Sequence, residues 1–273
     1  MGLFFNYDKP GPGISKDAPK KKGIFLYFEL FFRKFWLLIK ANILYFLVSL
    51  PVMALYNFII INVLANFLPR EWQEMSFQVS LIFTAIITIL WGTGPVSGGY
   101  TYILRNSARE EHVWILSDFF EKSKESLKLG IIMLVMDITL LIFGINAVSV
   151  YVSLMKSGYA FAKYALSALT VFFTFYTFLH YYAYEFCVTF ENGVRNTIKN
   201  ALITGIATLP ANLFLTIFAV GVTVLVFERL TAVSIILLLV FVWISFMRFP
   251  IDFYAARMIK RRFIDGKVGE SGK

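Results

Sequence analysis

Six long apolar runs separated by short charged segments organise this chain, at roughly Ala41 to Leu68, Ser76 to Leu104, Leu129 to Met155, Tyr164 to Tyr184, Ala201 to Phe227 and Leu230 to Met247. A helix rises ~1.5 Å per residue and the hydrocarbon of a bilayer is ~30 Å thick, so ~20 mostly apolar residues cross it. Every run approaches or exceeds that length. Five contain no Asp, Glu, Lys or Arg, and the third contains only Asp137. In lipid the backbone must satisfy its own polar groups as a helix or a closed barrel, and continuous rather than alternating apolar character selects the helix. The pattern predicts an all-α membrane protein with six transmembrane helices. A basic leader over residues 1–22 precedes one membrane domain over 23–262, and a tail over 263–273 follows it.

The segments that lead into the odd-numbered spans are patterned differently. In Gly23 to Lys40, GIFLYFELFFRKFWLLIK, the charges Glu29, Arg33 and Lys40 fall within ~40° on a helical wheel, a narrow polar stripe suited to the membrane interface. A second such helix is expected after span two, where Asp118 and Glu121 make a helix-start signature and Glu121, Lys124, Glu125 and Lys128 recur at three and four residues. Phe31 and Phe32 precede Lys40 by the same intervals at which Phe119 and Phe120 precede Lys128, and Phe190 precedes Lys199 by nine residues. The spacing from Lys40 to Pro51 matches that from Lys199 to Pro210. These echoes predict three parallel helical hairpins, each led by an amphipathic helix, with Pro kinks in the first and third. Phe31, Phe32, Asp118, Phe119 and Phe120 are candidate contacts at the cytoplasmic face.

Composition fits the bilayer. Hydrophobic residues make up 58% of the chain, 30 of its 273 residues are Phe, and the mean hydropathy is +0.70. Of 26 Lys and Arg, 22 lie in alternate segments: the stretch up to Lys40, the 105–128 and 185–199 loops, and the tail from Arg248. Arg70, Lys156, Lys163 and Arg229 fall on the other side. By the positive-inside rule both termini are expected in the cytoplasm, and the net charge of +9 then faces anionic lipid headgroups rather than nucleic acid, for which no recognition motif is present. The leader has no apolar core with a small-residue cleavage site, so it does not read as a signal peptide.

Candidate chemistry is sparse. Asp137 lies ~12 Å into span three, where a carboxylate must be protonated, hydrated or paired across helices. It reads as interhelical glue or as a transport or coupling group. Asn57, Asn62, Asn146 and Asn212 are possible partners. His112 sits in a charged loop, and His180, near the end of span four, reads as an interfacial side chain. No metal-ligand spacing, Walker motif or Gly-x-Ser-x-Gly elbow occurs, and Cys187 is the single cysteine, so no catalytic residue, metal site or cofactor is expected. Arg248 and Asp252, four residues apart, read as a surface pair worth ~0 to 1 kcal/mol. In Gly94-Pro95-Val96-Ser97-Gly98-Gly99, Pro95 interrupts the helix ladder, and Gly94, Gly98 and Gly99 permit close helix contact. The stretch is a structural bend or a hinge for gating or partner docking, with Arg105 and Asn106 marking the membrane exit.

That stretch, running through Tyr100 and Tyr102 to Arg105-Asn106, then Arg109-Glu110-Glu111-His112 and Asp118-Phe119-Phe120, resembles the YesL family of bacterial membrane proteins. The basic aromatic leader, the six-span layout and the length carry the resemblance over nearly the whole chain. It implies a bacterial plasma-membrane protein, in a family commonly encoded beside carbohydrate ABC importers, and so implies importer permeases and their ATPase as partners, but it implies no reaction. Phe190-Glu191-Asn192-Gly193 lacks the alanines of the permease loop that engages an ATPase, which favours an accessory or stabilising subunit over a core permease. A stand-alone small-solute transporter and a membrane-bound regulator or assembly factor are the alternatives.

The charge partition generates a topological test. Single cysteines replacing Gly2 or Gly272 in a Cys187→Ser background should resist a membrane-impermeant thiol reagent in intact cells, and one replacing Glu74 should react. Labelling of either terminus without permeabilisation would overturn the orientation.

Overall fold

The structure, a computed structural model, describes residues 23–67 and 76–265. The leader, the loop carrying Arg70 and Glu74, and most of the tail lie outside the described residues. Those described form helices and short connections, with no strand among them. Five helices are long and apolar enough to cross a membrane, and a bent pair, counted as one span, makes six. The protein is an all-α membrane protein.

The first lead-in helix, α1 (Gly23–Arg33), runs into the 33-residue α2 (Phe35–Phe67). The second span is α3 (Ser76–Leu90) and α4 (Ser97–Arg109), bent by 43° across a break that holds a 3₁₀ turn at Gly94–Val96. The second lead-in helix, α5 (Ile115–Glu125), folds back on α4 and continues into α6 (Leu127–Lys156). Span four is α7 (Phe161–Thr189), against which α8 (Val194–Ala207) packs before α9 (Leu209–Phe227) crosses. The last span joins α10 (Ala232–Leu238) to α11 (Ile244–Ile259) through a π-helical stretch, Leu239–Trp243.

Three boundaries differ from the hydropathy pattern. Span two is interrupted at Trp91 to Thr93, where Gly92 and Gly94 take φ of 85° and 67°, values open to glycine, just before Pro95. Span four runs past Tyr184 to Thr189 and carries Glu185 into the protein interior. The run from Ala201 divides at Thr208, so that α8 lies on α7 and α9 alone crosses. Pro210 has no N–H for the carbonyl of Ile206, and it sits in the first turn of α9, where that loss costs nothing. Pro210 therefore starts a helix instead of kinking one, and Pro51 stays inside α2. Each odd-numbered span does follow a short helix, but the breaks, at Lys34, Ser126 and Thr208, fall at different distances from Lys40, Lys128 and Lys199.

The lead-in helices are cemented by aromatic rings. Phe31 is buried against Phe249, Phe246 and Phe35, and Tyr27 packs on Phe249 and Phe253, burial that pushes its phenol up to about 12. Phe119 is likewise fully buried. Of the predicted contact set, Phe31 and Phe119 thus belong to the core, and Phe32 and Phe120 face outward. Asp118 holds the start of α5 by accepting the Trp114 N–H at 2.8 Å.

Glycines set how closely α4, α5 and α6 approach. A Cβ at Gly130 would stand 2.6 Å from Pro95 Cα and 2.9 Å from the Gly94 carbonyl, and one at Gly99 would run into the carbonyl oxygen of Phe119. These are backbone atoms and cannot swing aside. Gly99→Ala and Gly130→Ala should each destabilise by ~1–3 kcal/mol or more, whereas Gly221→Ala, with nothing within 4 Å of its Cβ, should be neutral. Thermal unfolding in detergent checks this, and equal midpoints for all three would remove the close-packing account.

Candidate functional site

A break inside a membrane helix exposes backbone groups that water cannot reach. Of the last four carbonyls of α3, those of Ile87 and Thr88 keep their partners four residues on, and those of Ile89 and Leu90 have lost theirs. The turn itself returns N–H groups of Trp91 and Gly92 to Ile87 and Thr88. Arg248 of α11 supplies the rest, its Nη1 donating to the carbonyls of Ile89 at 2.8 Å and Leu90 at 3.3 Å. A cation at the negative end of a helix dipole is favourable in itself. Asp252, one turn on, takes both of its bonds from Arg248 Nε at 3.2 Å and neutralises it. The pair is 3% and 0% exposed, so the surface assignment drawn from its spacing is corrected: it is a buried clamp closing the broken span.

Across the break, Ser97 Oγ accepts the Thr93 N–H at 2.8 Å and Thr93 Oγ1 donates to Tyr45 OH at 2.9 Å. The Tyr45 ring stacks on Tyr100 at 4.0 Å. Gly94, Gly98 and Gly99 are buried and Pro95 is half-buried. Arg105 and Asn106 do not sit free at a membrane exit. Both are buried, Asn106 Oδ1 accepting from the guanidinium at 2.9 and 3.0 Å, and Arg105 Nη1 reaches the Val188 carbonyl and Thr189 Oγ1 to tie α4 to the end of α7.

The π stretch in the last span is held by a residue the sequence did not single out. Asn42 of α2 gives its amide hydrogens to the carbonyls of Leu239 and Val240, each at 2.8 Å, and accepts the Ser245 N–H at 2.7 Å. Ser245 Oγ returns a bond to the Leu38 carbonyl at 2.9 Å. A widened turn lacks regular ladder partners, and Asn42 supplies them. At the α8–α9 break, Asn212 donates to the Gly205 carbonyl at 2.9 Å and Thr208 Oγ1 to the Thr204 carbonyl at 2.8 Å, with Tyr182 OH bonded to Asn212.

Asp137 is fully buried and its partners are not the amides suggested by the sequence. Asn57 bonds Ser80 and Thr84, Asn62 and Asn146 return to the carbonyls of Phe58 and Ile142, and Asn212 serves the break. Instead Tyr176 OH donates to Asp137 Oδ1 at 2.6 Å and Tyr56 OH to Oδ2 at 3.4 Å. His180 Nε2 lies 2.9 Å from Oδ1, off the N–H direction, so the contact is a close polar approach rather than a linear hydrogen bond. His180 is 0% exposed, which corrects its interfacial placement, and it supplies the basic partner that Asp137 lacked in the sequence. Tyr176 and His180 stand one turn apart on α7. The imidazole stacks on Trp91, and Trp91 Nε1 donates to Thr177 at 2.9 Å, so Trp91 joins this centre to the broken span.

Toward the basic end, Glu185 is buried with neither carboxylate oxygen hydrogen-bonded. Asp252, Arg105, Arg109 and Arg248 are its electrostatic neighbours, and no ion pair to it closes within 4.0 Å among the described residues. Outside these polar groups lies an open groove of about 650 Å³ where α6, α7 and α8 meet, lined by apolar side chains including Val135, Leu140, Phe172, Phe175, Leu202 and Ile206. Tyr176 forms part of its wall. Among the described residues no group of three or more His, Cys, Asp or Glu is placed to hold a metal ion.

No family model matches the chain, and neither a curated protein nor a solved structure matches it.

The clamp predicts a characteristic cycle of variants. Arg248→Met leaves Asp252 buried and two carbonyls open, and should destabilise by ~3–5 kcal/mol. The double variant Arg248→Met with Asp252→Leu should recover much of that loss. Denaturation of the purified variants in detergent measures the coupling, and additive losses would sink the clamp.

Proposed function

We propose that the chain is a non-enzymatic accessory or stabilising subunit packed beside the permease of a bacterial carbohydrate ABC importer, in the plasma membrane with both termini cytoplasmic. The observation that carries the packing role is the open apolar groove between α6, α7 and α8. Lipid tails are as apolar as its walls, so a partner helix gains there by fit and van der Waals contact rather than by the hydrophobic effect. Tyr176 in the groove wall also holds Asp137, so an occupant would press on the buried polar centre. The direct clamping of the broken span by Arg248 supports a rigid body more than a gate. The choice of importer as partner rests on the resemblance to the YesL family, and the orientation rests on the 22 of 26 cations in alternate segments.

Affinity purification in mild detergent should recover importer permeases and their ATPase. Leu202→Trp, which fills the groove from a 40% exposed position, should accumulate normally and lose them. Recovery undiminished by Leu202→Trp would exclude the groove, and purification of the chain alone would exclude the accessory role.

A second reading, a proton-coupled transporter, is favoured by the Asp137–His180 pair at membrane depth. Asp137→Asn keeps size and hydrogen bonding, and Asp137→Leu removes both. Under the packing account Asn should preserve folding and partner recovery, and Leu should weaken them by the ~0.6–2 kcal/mol of an interhelical hydrogen bond. If Asn left assembly intact but abolished solute uptake in liposomes, the transport reading would replace the packing one.

A further inference from the structure

A second cleft, of about 550 Å³, opens where α8 gives way to α9 and where the last span ends. Its floor is Ala207, Pro210, Ala211 and Met258, and its polar members are Thr208, Tyr254, Arg261 and Arg262. The span Leu209–Phe227 begins here and the span Ala232–Asp265 finishes here, which places the cleft at headgroup depth on the basic face. No acid lines it. Arg261 and Arg262 are exposed, and among the described residues neither enters an ion pair or a hydrogen bond, whereas Arg33, Arg105, Arg248 and Arg257 all have partners.

We propose that this cleft binds the phosphate headgroup of an anionic phospholipid from the adjacent leaflet, with an acyl chain lying along the apolar wall. Guanidinium groups match phosphate oxygens with paired donors, and a basic pocket between helices at a membrane face is the form that headgroup recognition takes. Two cations in a cleft that no acid lines supply the charge, and an apolar floor beside them supplies what a free anion would not use. The Thr208 hydroxyl beneath is already committed to the Thr204 carbonyl and to Tyr182 and Asn212, so the floor is rigid and the arginines are the adaptable part. The site stands whether or not the chain joins an importer.

The test uses the full chain purified in a neutral detergent, with thermal unfolding read against added phosphatidylglycerol, phosphatidylcholine or inorganic phosphate. Phosphatidylglycerol should raise the midpoint by several degrees and bind at least tenfold more tightly than phosphatidylcholine. The double variant Arg261→Gln with Arg262→Gln should lose that preference, and Lys122→Gln, which removes a cation elsewhere on the same face, should keep it. Ala207→Trp fills the cleft from an exposed position and leaves both arginines in place, so it should also lose the preference. Equal stabilisation by the two lipids, or retention of the preference in the arginine double variant or in Ala207→Trp, would overturn the site. Inorganic phosphate reproducing the shift at the lipid's concentration would overturn the lipid as its occupant.

Discussion

A bilayer supplies no water to a carbonyl, and that constraint governs the breaks in the membrane-spanning helices among the described residues. The chain departs from regular helix inside the membrane region at the end of α3 and in the π stretch before α11, and at the membrane face at the α8–α9 junction. At each place a polar side chain arrives to take the freed backbone groups: Arg248 for Ile89 and Leu90, Asn42 for Leu239 and Val240, Asn212 for Gly205. Gln78 does the same at the end of α9, donating to the carbonyls of Phe227 and Leu230. Several polar residues of the interior are thus committed to backbone repair. Asp137 is not among them, because its partners are side chains, and neither is Glu185, whose carboxylate has no hydrogen bond.

That division bears on function. Groups engaged in repair cannot change partners without opening a helix end in lipid, which makes the α3–α4 break a fixed feature. The Asp137 centre has no such duty. Its members come from three helices, α2, α6 and α7 contributing Tyr56, Asp137 and the Tyr176–His180 pair. Movement of α7 against α6 would alter it directly, and the apolar groove lies against that same pair of helices.

The six crossings were legible because length and continuous hydropathy need no tertiary information. The breaks were legible only in part. Pro95 with its glycines announced one of them, but Pro210 looked like a kink when it is a helix start, since the division at Thr208 is fixed by packing of α8 on α7. Buried charge was the least legible. Arg248, Asp252 and Glu185 sit at sequence positions where a span meets a charged loop, and hydropathy assigns such residues to the interface. What buries them is contact with neighbouring helices, as with Arg248 and the end of α3, 158 and 159 residues away. Asn42 carried a faint signal, a lone amide at the start of an apolar run, with nothing nearby to identify its partner.

The distance along the chain between these partners has a consequence for biosynthesis. The broken span is made before the residue that completes it, and Asn42 waits for Ser245, 203 residues later. Until the final helix inserts, α3 ends in open carbonyls and α2 carries an unmatched amide, so the first five crossings form an unfinished body. A chain truncated before Ser245 lacks Arg248 and the N–H that Asn42 accepts, however apolar its remaining spans.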